Sequence, residues 1–438
     1  MARQGRSGYG ATTFLLGFAA GAAVMLGVHA WLDAEEDPDL RHYREVRDFV
    51  ATNFVRDVDP DELVKNALKG MVSELDPYSR YYDELESREV ERETRGRFVG
   101  IGAVFKGDLS SGQILFPLAG SPAMRAGLRV GDRIQRIDGE EILGWDRAAM
   151  QAALEGELDS VVTLDVLGLD GEERTCAVRR GSVVDPNVRH ARIVDEEHGV
   201  GYLAMLGFSH ETPEEFEAAF THLREQGMQA LVIDVRGNPG GVLKSAIDIA
   251  RRFVPEGVIV STEGRGTPVY YSAEPELAWY EGFPLVVLVD EGSASASEVL
   301  AGALQDHRAA VLVGAPTHGK GLVQTIRRYP EERTIAKVTT SYYYTPAHRN
   351  LERDPENGRD YGIAPDLEVP ITDVEQRAIA RHTAHYGAPL ALTGALRAWE
   401  AELGEELIDP HPVDAQLDAA IRLLTGELRL PQLTGEEE

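Results

Sequence analysis

The chain has 438 residues, 44 of them basic and 73 acidic, for a net charge of −29. That balance argues against nucleic acid and anionic membrane surfaces as partners, and it favours solubility. Hydrophobic residues make up 43%, enough for a sizeable core spread over two or three domains, and the lone Cys176 excludes a disulfide within the chain and reads as a small core residue.

Residues 1–10 form a basic stub with Arg3 and Arg6 and no acidic residue. Residues 11–32 are apolar apart from Thr12, Thr13 and His29, about the ~20 residues that a membrane span requires. Asp33, Glu35, Glu36, Asp37 and Asp39 follow. Basic before and acidic after predicts a cytoplasmic N-terminus and a body on the far side of the membrane. Val28-His29-Ala30 resembles a signal-peptidase site, so cleavage after Ala30 is the alternative to an uncleaved anchor. The length of the apolar run favours the anchor.

Residues 33–95 read as helical, with a break at Asp57-Val58-Asp59-Pro60. Asp59 is placed to cap a helix that has Pro60 at its first position. Leu63, Ala67, Met71 and Leu75 recur at helical spacing, and we read them as a packing stripe.

Residues 96–182 form the next domain. Its sequence opens with Phe98-Val99-Gly100-Ile101-Gly102-Ala103-Val104 and continues with GSPAMRAGLRVGDRI from Gly120 and with Ile137-Asp138-Gly139. This set resembles a PDZ domain. Such domains take a peptide's carboxyl end as an added strand, with loop N–H groups on the carboxylate. The resemblance places that loop at Gly100-Ile101-Gly102, with a pocket for the final side chain lined by Ile101 and the helix near Met150. On their own, these glycines would serve only a tight turn.

Residues 183–372 read as alternating strands and helices, the pattern of an α/β core. Two strand ends stand out. The apolar run 230–235 leads into Arg236-Gly237-Asn238-Pro239-Gly240-Gly241, and glycines there let backbone N–H groups approach a ligand. The apolar run Leu285–Val289 suits a strand buried on both faces of a parallel sheet. Gly292-Ser293-Ala294-Ser295-Ala296-Ser297 follows it, and then a helix over 298–306. Ser295 with Glu298 fits a capping box. A helix start also favours developing negative charge, which suits a nucleophile. Spacing alone does not choose among Ser293, Ser295 and Ser297.

After a further strand at 311–313, the loop Pro316-Thr317-His318-Gly319 leads to Lys320, and Gln324 follows four residues later. A lysine acts as a base only when neutral, which burial promotes. The Gln324 carboxamide could orient the amine without adding charge. Gly314 to Lys320 also matches the phosphate-binding pattern GxxxxGK. Gly321 stands where that pattern needs Ser or Thr, and residues 322–326 read as a strand where it needs a helix. Residues 373–438 are mostly helical, with breaks at Gly387-Ala388-Pro389 and Asp409-Pro410-His411-Pro412 and a solvated acidic tail; packing or self-association is the expected role. The 12 histidines show no metal-ligand spacing, so no metal or cofactor is expected.

SASASE, Asp306, GKG and Gln324 together resemble the carboxy-terminal processing proteases, also called tail-specific proteases, and the likeness runs from about Tyr43 to Leu430. Leu75-Asp76-Pro77-Tyr78-Ser79 is similar to that family's LDPHS segment, with Tyr in place of His. The segment 342–347 is similar to its RYYTPSG. The resemblance implies an α/β protease core of ClpP/crotonase-like βα units, an inserted PDZ domain and helical N- and C-terminal segments. It implies Ser295 as nucleophile, Lys320 as general base and Gln324 as the lysine's orienter. It gives the oxyanion hole to the N–H of Ala296 with that of Gly240 or Gly241. The implied function is a serine endopeptidase on the periplasmic side of the bacterial cell envelope, cleaving proteins with accessible C-terminal tails. An adaptor protein and a second copy of the chain are further candidate partners. A non-catalytic PDZ scaffold that keeps the protease fold is the competing expectation.

Overall fold

The computed structural model describes residues 37–353, 361–384, 392–405, 407 and 412–430. The basic stub, the apolar segment 11–32, the acidic tail and most of both expected C-terminal breaks lie outside the described residues. Among the described residues no helix is long and apolar enough to cross a membrane.

Described residues 37–83 belong to one unit, with helices Pro38–Asn53 and Pro60–Ser73. Pro60 opens the second helix, and the Asp59 carboxylate accepts the Asp61 N–H at 2.9 Å. The expected packing stripe is displaced. Val72 is buried, whereas Met71 and Leu75 are 64% and 61% exposed. Two apolar stripes adjoin on this helix, and spacing alone does not say which one is covered.

The second unit begins at Glu84. Strand Arg97–Gly100 pairs with Gly181–Val184, which closes the PDZ-like segment on itself. Inside it, Ala103–Phe105 pairs with Ile114–Pro117, and Val161–Leu167 pairs with both Arg133–Ile137 and Glu173–Arg179. Cys176 is buried in the last of these strands, as its apolar context implies.

The core is a six-stranded sheet in the order Val188–Asp195, Val200–Met205, Ala230–Asp234, Leu285–Val289, Val311–Gly314 and Leu367–Glu368. Only the first pair is antiparallel. The central strands are apolar without alternation because both faces are covered. Leu231, Ile233, Leu285, Val287 and Val289 pack on the side of helices Thr212–Glu225, Leu243–Ala250 and Ala296–Asp306. Val232, Val286, Leu288 and Val313 meet helix Ala415–Leu424 on the other side.

Parallel register sets what meets at the strand ends. Asp234 lies beside Leu288, and Val289 beside Gly314. The glycine loop, the serine loop and the loop to Lys320 therefore leave the same edge of the sheet, where sites form in open α/β folds. A second sheet follows, in which Leu322–Tyr329 pairs with Thr334–Tyr344, and Thr334–Tyr344 pairs with Val258–Gly264. The chain is a strand after Lys320, so the nucleotide-binding pattern lacks its helix.

Candidate active site

Ser295 is the N-cap of helix Ala296–Asp306, with φ +56° and ψ −113°. A non-glycine residue in that region costs on the order of 1–3 kcal/mol and persists only where its surroundings hold it. What holds it is Glu298. This carboxylate is fully buried. One oxygen accepts the N–H groups of Ser295 and Lys320, each at 2.8 Å. The other accepts the Thr317 hydroxyl at 2.6 Å and the Gly319 N–H at 2.7 Å. Burial pushes the Glu298 carboxyl up, and the four hydrogen bonds oppose that shift. The sequence offered Glu298 only as the second half of a capping box. It also ties the serine loop to the lysine loop.

The three serines of the loop differ in what their hydroxyls do. The Ser293 hydroxyl donates to the Val235 carbonyl at 2.8 Å, and that of Ser297 to the Asn238 carbonyl at 2.9 Å; both residues are fully buried. Ser295 keeps 9% exposure. Beside it stands Tyr343, a residue the sequence did not single out. Burial and Tyr271 push the Tyr343 phenol up, while the Ser295 hydroxyl works the other way. The Tyr343 N–H also donates to the Gly321 carbonyl at 2.7 Å, next to Lys320.

Lys320 is half-buried, and its ammonium is held below the ordinary lysine range. Burial is the largest cause and the neighbouring Lys337 the next, with Glu352 and Glu298 opposing. Lys337 pairs with Ile326 on the strand beside that of Gln324, a neighbour that no motif flagged. Gln324 sits at the bulge of strand Leu322–Tyr329, opposite Thr339. Its amide nitrogen is buried and has no hydrogen-bond partner among the described residues.

The glycine loop abuts the serine loop. The Asn238 carbonyl accepts the Ala294 N–H at 3.0 Å as well as the Ser297 hydroxyl. Asp290 accepts the N–H groups of Gly237 and Gly292, at 2.8 and 2.9 Å. Gly240 has φ +98°, and a Cβ there would lie 2.7 Å from the Ala294 carbonyl oxygen and 2.9 Å from the Ala296 nitrogen, so only glycine fits. The Gly240 N–H is spent on the Asn238 side-chain oxygen at 2.9 Å. Those of Gly241 and Ala296 donate to no acceptor among the described residues.

In the PDZ-like segment, Gly102 has φ +71°. The N–H groups of Ile101 and Gly102 donate to no acceptor among the described residues. Ile101 and Met150 belong to one buried apolar cluster, at 3% and 0% exposure, so neither presents surface to solvent at the expected pocket. Among the described residues no group of three or more His, Cys, Asp or Glu side chains could hold a metal ion.

The profile of peptidase family S41 matches residues 199–369, that of the PDZ domain residues 117–168, and that of the activating protease CtpB N-terminal domain residues 22–85. A carboxy-terminal-processing protease of Bartonella bacilliformis is 31% identical over 405 residues, covering 89% of each chain. A carboxyl-terminal-processing protease of Synechocystis is 36% identical over 340 residues, 75% of this chain and 77% of that one. A solved photosystem II D1 C-terminal processing protease is 30% identical, covers 78% of this chain and 92% of its own, and gives a TM-score of 0.42. The chain is therefore a serine protease carrying a PDZ domain. It belongs to peptidase family S41, among the carboxy-terminal-processing proteases.

Because Glu298 meets four donors with two oxygens, Glu298→Gln would turn a donor amide toward two of them. We expect it to lower stability by about 1–3 kcal/mol and to remove most proteolysis, read by thermal melting and hydrolysis of fluorescein-labelled casein. Parent-like values in both assays would count against the role given to Glu298.

Proposed function

We propose that the chain is an envelope-localised endopeptidase that recognises C-terminal tails through its PDZ domain and cleaves by a Ser-Lys-Gln mechanism. The reading rests above all on one observation. A single Glu298 oxygen holds the N–H groups of both Ser295 and Lys320, while the hydroxyls of Ser293 and Ser297 are committed to backbone carbonyls. Neutral Lys320 takes the proton of the Ser295 hydroxyl as Oγ bonds to the scissile carbonyl carbon. The carbonyl π electrons move to oxygen, and the oxyanion receives the N–H groups of Ala296 and Gly241. Gly240 leaves this role because its own N–H serves Asn238. The ammonium then gives its proton to the departing amine, and water later releases the acyl group from Ser295 by the same steps. Gln324 orients the amine and brings no charge that would favour the ammonium.

The βα units of the core support the ClpP/crotonase-like description. We place the domains at 33–95, 96–182, 183–372 and 373–438. The basic stub 1–10 and the apolar segment 11–32, as anchor or as a leader cleaved after Ala30, support the periplasmic side of the cytoplasmic membrane. Substrates are proteins with accessible C-terminal tails, delivered freely or by an adaptor, and self-association through the helical segments fits the same reading.

Ser295→Ala should abolish hydrolysis of labelled casein while the fold persists, because losing the cap costs only about 0.5–2 kcal/mol. Lys320→Arg should be inactive at every pH, since arginine does not deprotonate in a protein. In the parent enzyme kcat/KM should rise with pH as Lys320 deprotonates, with a midpoint below the ordinary lysine range of about 10.4. Parent-level turnover in either variant would remove that residue from the mechanism.

Tail reading depends on the free carboxylate at Gly100-Ile101-Gly102. Amidating a peptide's C-terminus removes a charge-assisted hydrogen bond worth about 1.5–3 kcal/mol, so its affinity for Ser295→Ala protein should fall about ten- to a hundred-fold. Equal affinities would mean that the domain does not read C-termini. For location, protease added to intact spheroplasts should digest the chain, and protection would place its body in the cytoplasm.

A further inference from the structure

The segment after residue 411 reaches back to the glycine loop. Arg236 opens that loop and is 6% exposed. Its Nε donates to Asp234 Oδ1 at 2.9 Å and its Nη2 to Asp234 Oδ2 at 2.6 Å, a grip along one edge of the guanidinium. Asp414 holds the other edge. Its Oδ1 accepts Nη1 at 3.0 Å and its Oδ2 accepts Nη2 at 2.6 Å. Gln416 Oε1 accepts Nη1 at 2.9 Å, and its own Nε2 donates to the Val369 carbonyl at 2.8 Å. The Tyr202 hydroxyl donates to Asp234 at 2.8 Å.

Two carboxylates on one guanidinium do different work. Asp234 lies two residues from Arg236 and also accepts its backbone N–H at 3.0 Å, so that pair forms within the strand end itself. Asp414 lies 178 residues away, so its grip exists only when the C-terminal segment has docked on the sheet. Without it, Nη1 would keep Gln416 alone as an acceptor, and a buried cation would lose half of its compensating charge. The next residues in the chain are Gly237 to Gly241, where Gly240 lies against Ala294 and Ala296 and the Asn238 carbonyl accepts the Ala294 N–H.

We propose that Asp414 is a positioning residue for peptide hydrolysis, acting through Arg236 on the backbone of the glycine loop, so that the C-terminal segment completes the catalytic site. The inference rests on the reading of Gly241 and Ala296 as oxyanion donors. A donor displaced by about 1 Å loses on the order of a hundred-fold in rate. Such a loss falls on kcat, because the oxyanion exists only after substrate has bound.

Asp414 also caps helix Ala415–Leu424, accepting the Leu417 N–H at 3.0 Å. Asparagine caps helices as well as aspartate does. Asp414→Asn therefore removes the negative charge held against Arg236 and leaves the cap. In the full-length protein it should lower kcat on fluorescein-labelled casein by roughly a hundred-fold, with KM near the parent value and a full equivalent of Ser295 labelled by a fluorophosphonate. Gln416→Leu, a milder change on the same guanidinium nitrogen, should move kcat in the same direction and serves if Asp414→Asn does not fold. Parent-like kcat in every variant that folds would overturn the proposal. So would an endpoint of exhaustive labelling that falls in step with turnover, since that marks lost protein, whereas slower labelling to the same endpoint marks misplaced donors. Ser295→Ala run alongside separates the two readings. Turnover in Ser295→Ala removes the nucleophile assignment, whereas an inactive Ser295→Ala beside a fully active Asp414→Asn removes only the role of Asp414.

Discussion

One buried carboxylate holds the site together. Glu298 carries a charge that burial opposes, and four hydrogen bonds from two loops compensate it. Burying an ionised group is tolerated only with such partners. The same bonds hold Ser295 in a backbone conformation that a non-glycine residue otherwise avoids, and they bring the backbone of Lys320 to the same oxygen. Strain at the serine and placement of the lysine thus have a common cause.

The sheet sets up that arrangement. Ala230–Asp234 and Leu285–Val289 run parallel and in register, so their loops emerge side by side. Asn238 and Asp290 then lock one loop to the other through backbone contacts. Lys320 arrives from the third strand end and enters a second sheet, where burial and Lys337 hold its ammonium below the ordinary range. The backbone N–H groups of Ser295 and Lys320, 25 positions apart, meet on one Glu298 oxygen without any local sequence pairing between them.

The C-terminal segment serves two parts of the molecule. Helix Thr393–Leu403 covers an apolar face of the PDZ-like segment, with Leu396 and Trp399 against Phe116 and Val130. The Lys106 ammonium pairs with Glu405 at 2.6 Å on the same face. Helix Ala415–Leu424 covers one face of the core sheet. Burial of apolar surface at both places is the packing expected of this segment.

Much of this was legible in the residues themselves. The unbroken apolar runs marked strands covered on two faces, the serine-rich turn marked a helix start, and Gly321 with the strand after it argued against nucleotide binding. Those signals are local, because hydrophobic periodicity and capping are properties of one element and its immediate neighbours. The stripe on helix Pro60–Ser73 was misplaced for the same reason, since periodicity gives a spacing but not which stripe is covered. Family likeness named Ser295, but only the tertiary structure distinguished it physically, by spending the hydroxyls of Ser293 and Ser297 on carbonyls from another loop. The same holds for Gly240 against Gly241, for the donors of Glu298 that lie 19 to 22 residues away, and for Asp414 on Arg236. Such partners depend on which strand ends the parallel register sets side by side, and no spacing along the chain encodes that.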